Sequence, residues 1–439
     1  MNRSLPWSRG RSFRAILMGG TLLAWPGAVG AGIPVASDPA GSAPSGRTFS
    51  VSAAGAEVFT GYLFAYFTGN TGDQESIRFA LSDDGYDFKA VNKGKPVLVS
   101  AAISSSGGVR DPHILRGQDG AYYMAATDMV SAQGWASNRA MVLLKSTNLV
   151  DWKSTVVNIP KTYAAFAAAD RVWAPETIYD STAGKYLVYF AMRLGPTDPD
   201  KIYWAYANSA FTGLEAAPKV LYSYDGKAAI DADIVQKDGT YHLFFKDEGS
   251  GNGIKTAVST KLTGTYTLYG KYVQPTTLAA EGPQVFRRIG TDSSILMYDL
   301  YTSGGFQFAI GTDLFNFTVA KKTPSFDFTP RHGAIIPITA AEKRAIEAKW
   351  NPTSLADAGK PSGVSFILDP ASRAVNLVRG TVLGDISVAI KDHLGRDRVR
   401  RILHAGDTRL DLSALTPGVY LVRCRTGEGI PWATRIVLP

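Results

Sequence analysis

The sequence predicts an all-β protein: a five-bladed β-propeller followed by a small C-terminal β-sandwich. A unit of short strands and turns recurs through the middle of the chain. Its starts align at Asp111, Ala174, Asp231 and Glu281, spaced 63, 57 and 50 residues apart, the period of a blade built from four short strands. Within each unit aromatic and β-branched residues alternate with a period of two, which favours strands over helices. The 44 Gly, 20 Tyr and 20 Phe in 439 residues suit a turn-rich, strand-rich chain long enough to bury a large core.

Taken in order, residues 1–31 read as a signal peptide. Arg3, Arg9, Arg11 and Arg14 precede an apolar stretch from Ala15 to about Trp25, and small residues at Ala28-Val-Gly-Ala31 mark a cut. The stretch is too short and too broken by Gly and Pro to span a membrane, and no later segment qualifies. A periplasmic or secreted location is therefore expected. Those four arginines account for half of the formal +8. With no concentrated basic stripe elsewhere, nucleic acid is not an expected partner. The single cysteine, Cys424, forms no internal disulfide and reads as a small buried hydrophobe.

Residues 32–57 form a small-residue linker, and the propeller is expected over 58–340. Second strands follow Gly turns, as in Asp119-Gly-Ala-Tyr-Tyr-Met and Asp238-Gly-Thr-Tyr-His-Leu. The fifth unit is split: Gly61-Tyr-Leu-Phe-Ala-Tyr-Phe lacks a first strand, and Arg331-His-Gly-Ala-Ile-Ile-Pro-Ile lacks the rest of its blade. Pairing the two closes the ring and removes its open edges. A helix from Ala340 to Trp350 and a Pro/Gly-containing linker fill 341–363. Short strands over 364–439, such as Gly418-Val-Tyr-Leu-Val-Arg, spell an accessory β-sandwich without chemistry of its own.

The first strand of each blade lines the central channel and sends every second residue inward. Asp111, Asp231 and Glu281 are thus expected at one mouth, with His113, Glu176, Asp233, Gln284 and His332 deeper. Crowded carboxylates split their pKa values, making one a proton donor and another a base, the division of labour that sugar hydrolysis uses. An Asp before Pro is by itself a turn residue, but turn duty does not explain three acids at matching places. Trp173 is a candidate for stacking on a sugar face, with Phe64 and Tyr301 weaker candidates. Lys246 and His332 are candidate substrate contacts. His113 and His332 are candidates to share a structural ion, and two imidazoles are too few for a catalytic transition metal.

The ordered set Arg110-Asp-Pro-His-Ile, Val172-Trp-Ala-Pro-Glu, Ile230-Asp-Ala-Asp, Ala280-Glu-Gly-Pro and Arg331-His-Gly resembles the family 43 glycoside hydrolases over about 58–338. The resemblance implies Asp111 as general base, Asp231 as the residue that tunes and orients the acid, and Glu281 as general acid. It implies inverting cleavage of pentose or furanose linkages in an oligo- or polysaccharide, of the α-L-arabinofuranosidase or β-xylosidase type. No cofactor is required, a structural calcium in the channel is expected of related propellers, and the chain is expected to be monomeric. Two features depart from the pattern: outer strands precede the Asp111 unit, and Ile-Asp-Ala-Asp makes Asp233 a rival to Asp231. The chain also resembles the fructan-cleaving family 32, but Thr60 to Phe67, where that family carries its nucleophile, has no acid. The alternative function is a non-catalytic carbohydrate-binding propeller, which has no use for three clustered acids.

Overall fold

The computed structural model describes residues 58–248, 251–351, 365–369, 372–379, 384–426 and 432–438. The expected signal peptide and first linker, and residues 352–363 of the second, lie outside them. The regular structure of the described chain is mostly β, with a few short helices.

Strands β1 (Phe59–Tyr66), β2 (Arg78–Ser82) and β3 (Asp87–Ala90) open the first sheet. Four consecutive four-stranded antiparallel sheets follow. The second holds β4 (Val109–Arg116), β5 (Tyr122–Asp128), β6 (Ala140–Ser146) and β7 (Trp152–Asn158). The third holds β8 (Arg171–Asp180), β9 (Lys185–Arg193), β10 (Lys201–Tyr206) and β11 (Lys219–Tyr222). The fourth holds β12 (Ala229–Lys237), β13 (Thr240–Asp247), β14 (Ile254–Ser259) and β15 (Thr267–Tyr272). The fifth holds β16 (Glu281–Arg287), β17 (Ser294–Asp299), β18 (Phe306–Gly311) and β19 (Thr318–Val319). Then β20 (Ser325–Phe326) and β21 (Gly333–Thr339) return to complete the first sheet in the order β20-β3-β2-β1-β21. The expected pairing of the split unit is present, with Phe64 opposite Ile335 and Tyr66 opposite Gly333. Strands β4, β8, β12, β16 and β21 neighbour one another in turn, and β21 returns to β4.

The sheets bury an aromatic and aliphatic core. Phe64, Phe88, Phe306, Phe308 and Phe326 mesh at ring-centroid distances of 5.6 to 6.4 Å, separations at which offset and edge-on contacts are favourable. After β21 the chain enters a helix, Ala340–Trp350, started by a capping box between Thr339 and Glu342. The sequence pattern groups this helix with the linker, but its contacts group it with the sheets. Ile346 is buried, Trp350 meets Phe79 edge-on at 5.6 Å, and Glu342 accepts two 2.7 Å bonds from Arg116 on β4.

The C-terminal strands form two further sheets. One has the order β22-β23-β26, from β22 (Ser365–Asp369), β23 (Ala374–Val378) and β26 (Arg409–Asp411). The other has the order β25-β24-β27-β28, from β24 (Ile386–Lys391), β25 (Asp397–Leu403), β27 (Gly418–Thr426) and β28 (Trp432–Leu438). Val375, Leu377 and Leu410 of the first join Val388, Val422, Trp432 and Ile436 of the second in one core. Cys424 is buried in it without a disulfide partner, as expected.

Candidate active site

Strands β4, β8, β12 and β16 carry most of the site, and each is broken at the same place. Register slips between Arg110 and His113 in β4, Trp173 and Glu176 in β8, Ile230 and Asp233 in β12, and Glu281 and Gln284 in β16. Each slip is a β-bulge, which unpairs two residues and re-aims their side chains. The first residue of each bulge has left-handed backbone: Asp111 at φ 49°, Ala174 at 42°, Asp231 at 52° and Gly282 at 57°. Non-glycine residues hold that conformation at a cost of about 1–3 kcal/mol, a strain that clusters at functional sites. Gly282 needs to be glycine twice over, since a Cβ there would also lie 2.6 Å from the His332 ring.

This geometry corrects the repeat alignment by one residue. Gly282, not Glu281, matches Asp111, Ala174 and Asp231. Glu281 occupies the last paired position before the bulge, the place taken by Arg110, Trp173 and Ile230 in the other sheets. The strands therefore present two adjacent rungs, and the acids divide between them.

Arg110, Trp173, Ile230 and Glu281 of one rung and Asp111 and Asp231 of the other line one solvent-open cup, together with Phe67, Met129, Trp135, Arg331 and His332. Its cavity volume is about 80 Å³, below the roughly 300–1,000 Å³ of pockets that bury a whole small ligand. Asp111 accepts a 2.9 Å bond from the Thr127 hydroxyl and lies 3.5 Å from His332 Nδ1. Asp231 accepts the Gly282 N–H at 3.1 Å, so the acid on β12 is tied to the backbone that carries Glu281. Glu281 lies 2.8 Å from Arg331 and 3.3 Å from Lys246. Arg331 reaches on to Asp299 at 2.5 Å, and Lys246 to Glu248 at 2.6 Å.

Two aspartates with the same backbone conformation titrate in opposite directions. Burial acts to raise the Asp111 carboxyl, but the hydrogen bond and charge of His332, the charge of Arg110 and the Thr127 hydroxyl outweigh it and hold the carboxyl below its ordinary value. Burial pushes Asp231 up to about 6, where the charges of Glu281 and Asp111 reinforce it and His332 only partly relieves it. Burial would lower His332, yet its bond to Asp111 and the charges of Asp231, Asp111 and Glu281 bring it up to about 9. His332 is thus an imidazolium among carboxylates at neutral pH.

Two residues further along β4, β8 and β12 lies a second, buried cluster of His113, Glu176 and Asp233. Their ligating atoms lie within 4.8 Å of one another. Burial, and then the charge of Asp233, raises Glu176 well above the ordinary carboxyl range, and burial raises Asp233 to about 7. Burial and the charge of His332 lower His113 to about 3. The imidazole is neutral, accepting the Thr177 N–H at its Nδ1 and leaving Nε2 facing Glu176 at 3.7 Å. Tyr189 donates to Glu176 at 2.7 Å, and the Val285 N–H donates to Asp233 at 2.6 Å.

Asp111, Asp231, Glu281, Trp173 and His332 all line the cup. The expectation that His332 lies deeper, beside His113, is not met: its Nδ1 faces Asp111, and a protonated ring has no lone pair for a metal. The carboxylates able to hold a cation are those of Glu176 and Asp233, beside His113. Phe64 is fully buried in the aromatic core, and the phenyl ring at the cup is that of Phe67, just past the end of the same strand. Tyr301 does not reach the cup. It lies beneath Lys246, its ring centroid 4.4 Å from Nζ, and Lys246 touches Glu281 rather than open space. Sequence reasoning passed over Arg110, Arg331, Met129 and Trp135. The two arginines had a usable signal, each standing immediately before Asp111 or His332. Trp135 and Met129 had none, since they follow β5 in irregular chain.

An all-β chain that gathers three carboxylates and their cations around one open cup has the design of a glycoside hydrolase. The family model described as "Probable glycosyl hydrolase domain", related to family 43, matches residues 57–344. The chain belongs to this family of family-43-related glycosidases. An α-L-arabinofuranosidase from Bifidobacterium longum subsp. longum is 28% identical over 225 residues, covering 44% of this chain and 20% of the relative. The chain thus spans about one fifth of that relative's length. Among solved structures, the GH43 BlXynB protein of Bacillus licheniformis is 15% identical, with a TM-score of 0.41 over 83% of this chain and 85% of its own. A GH43 enzyme from Xanthomonas citri, complexed with xylose, is 15% identical, with a TM-score of 0.39 over 49% of this chain and 74% of its own.

Proposed function

We propose that the chain is an exported, inverting glycosidase of the α-L-arabinofuranosidase or β-xylosidase type, built on a five-bladed propeller over 58–340 with a C-terminal sandwich over 364–439. One observation carries the reading: a strained bulge on each of neighbouring strands aims Asp111 and Asp231 into the cup, and the Gly282 N–H ties Asp231 to the strand of Glu281. Asp111, held ionised by His332, takes a proton from water as the water oxygen attacks the anomeric carbon. Glu281 gives its proton to the departing oxygen as the glycosidic bond breaks, and Asp231 positions that acid. Trp173 and Trp135 meet edge-on at 6.3 Å and form the aromatic wall for the sugar. A structural calcium is proposed at Glu176 and Asp233, whose carboxylate oxygens suit a hard divalent cation, with His113 beside them as a neighbour rather than a ligand. It would brace β8 and β12 against one another below the cup.

The test is hydrolysis of nitrophenyl α-L-arabinofuranoside and β-xyloside, with the product followed by proton NMR at early times. Inverted configuration is expected, as is a carboxyl separation of about 6.5–9.5 Å between Asp111 and Glu281 in a crystal structure. A product of retained configuration would overturn the mechanism.

A further inference from the structure

From residue 364 on, the sequence carries eleven Lys and Arg against seven Asp and Glu, and the β25-β24-β27-β28 sheet sorts them. Side chains alternate across a strand, so residues opposite one another share a face. Arg400 lies opposite Ala389, Ala389 opposite Arg423, and Arg423 opposite Ala433. Ser387 lies opposite Arg425, and Leu421 opposite Arg435. Their sequence neighbours Val388, Ile390, Val422, Cys424 and Ile436 are buried in the core. Arg400, Arg423, Arg425 and Arg435 therefore stand together on the outward face, and all four are exposed. Asp397 pairs with Lys391 and Arg400 at the sheet edge. Among the described residues no acid pairs with Arg423, Arg425 or Arg435.

The chemistry of this face selects its ligand. The strand rings Tyr420 and Trp432 are turned inward and buried, so the face offers no platform for stacking on a neutral sugar. It offers guanidinium forks, which bind carboxylates through two parallel hydrogen bonds. Same-strand neighbours are about 7 Å apart, and Arg400 and Arg423, two strands apart, about 9.5 Å. A flat, open array at such intervals suits an extended polymer with charge along its length rather than a compact anion.

We propose that this outward sheet face docks a linear acidic polysaccharide bearing carboxylates along its chain. The choice of a glycan over other polyanions rests on the glycosidase reading. Docking would keep the cup at high local concentration over the same polymer network, without any contact in the cup itself.

Affinity electrophoresis of the full chain through gels containing polygalacturonate, uncharged arabinoxylan or no polymer tests this. Retardation is expected in polygalacturonate alone and should vanish in high salt. The triple variant R423A/R425A/R435A should weaken the interaction about tenfold or more, with turnover of a nitrophenyl glycoside and melting temperature unchanged. The matching lysine variant, which keeps charge but loses the fork, should fall between the two and guards against misfolding as the cause. Equal mobility of the wild type in all gels, or a triple variant as retarded as the wild type, would overturn the docking face. Stronger retention by duplex DNA or by anionic phospholipid vesicles would overturn the glycan as its occupant. If the wild type binds polygalacturonate but cleaves no glycoside, the glycosidase reading fails and the docking face stands.

Discussion

The cup and the cluster beneath it share β4, β8 and β12, two residues apart, yet Asp111 above and the acids below are treated in opposite ways. Asp111 sits two residues before His113, and Asp231 two before Asp233. The upper layer contains His332, Arg331 and Lys246, and Asp111 is held ionised there. The lower layer contains no cation among the described residues, and Glu176 and Asp233 are raised while His113 is kept neutral. Burial is the first cause in both layers. What separates them is a direct bond to a cation: His332 bonds Asp111 and holds it down, whereas Asp231, in the same layer without such a bond, is raised like Glu176 and Asp233.

The sharpest way to break this comparison is to remove the upper carboxylates. Asp111→Asn should cost at least about two decades of kcat even on activated substrates, as loss of an acid/base group does, while substrate binding persists by calorimetry. A variant retaining more than about a hundredth of wild-type turnover would remove Asp111 from the role of base. Glu281→Gln should cost as much on natural linkages and far less on nitrophenyl leaving groups, which depart without protonation.

A smaller effect is expected from taking away the cation and leaving the acids. In His332→Gln the Asp111 carboxyl should rise, so the acidic limb of the kcat/KM profile should move to higher pH. The charge of His332 also interacts with Asp231, Glu281, Asp299, Asp233 and His113, and the shift should exceed any produced by losing the Thr127 hydroxyl. An unmoved acidic limb would show that burial alone sets the upper layer.

The lower layer should show itself in stability rather than rate. The folded-state pKa of Asp233, about 7, lies above its ordinary 3.8. Its contribution is therefore full below about pH 4 and is lost as pH rises through 7. In the presence of chelator, Asp233→Asn should flatten the fall in melting temperature between those limits. Calcium should raise the wild-type melting temperature and leave the Asn variant unmoved. The smallest effect is expected from truncation after Lys360, which keeps the Ala340–Trp350 helix on the first sheet and should leave turnover of small substrates within about twofold.

Much of this was legible in the sequence because a repeat writes the same geometry several times. The strand order, the split first sheet and the three acids follow from period and alternation. The bulge did not follow, because alternation assumes an unbroken register, and one slipped residue moved Glu281 off the position shared by Asp111 and Asp231. His332 was placed too deep because it stands just before β21, outside the paired strand to which alternation applies. Phe64 shows the limit of reading aromatics: a ring in a strand looks alike whether it fills a core or faces a sugar, and only the packing of neighbouring sheets separates it from Phe67. The arginine face was equally hidden. Arg400, Arg423 and Arg435 are scattered along the chain, and no stripe exists until β25, β27 and β28 lie side by side.

The pairing of β1 with β21 also sets a clock. Its partners, Phe59 and Thr339, lie at the two ends of the sheet-forming region, so β1 exposes an unpaired edge until the whole of that region has been made. Contacts at such separation slow folding, because chain entropy must be spent before they form. A chain halted anywhere before Gly333 would keep an open edge available to a neighbouring copy. The interval between making β1 and making β21 is therefore when this protein is most exposed to aggregation, and when a chaperone or a translocation channel would protect it most.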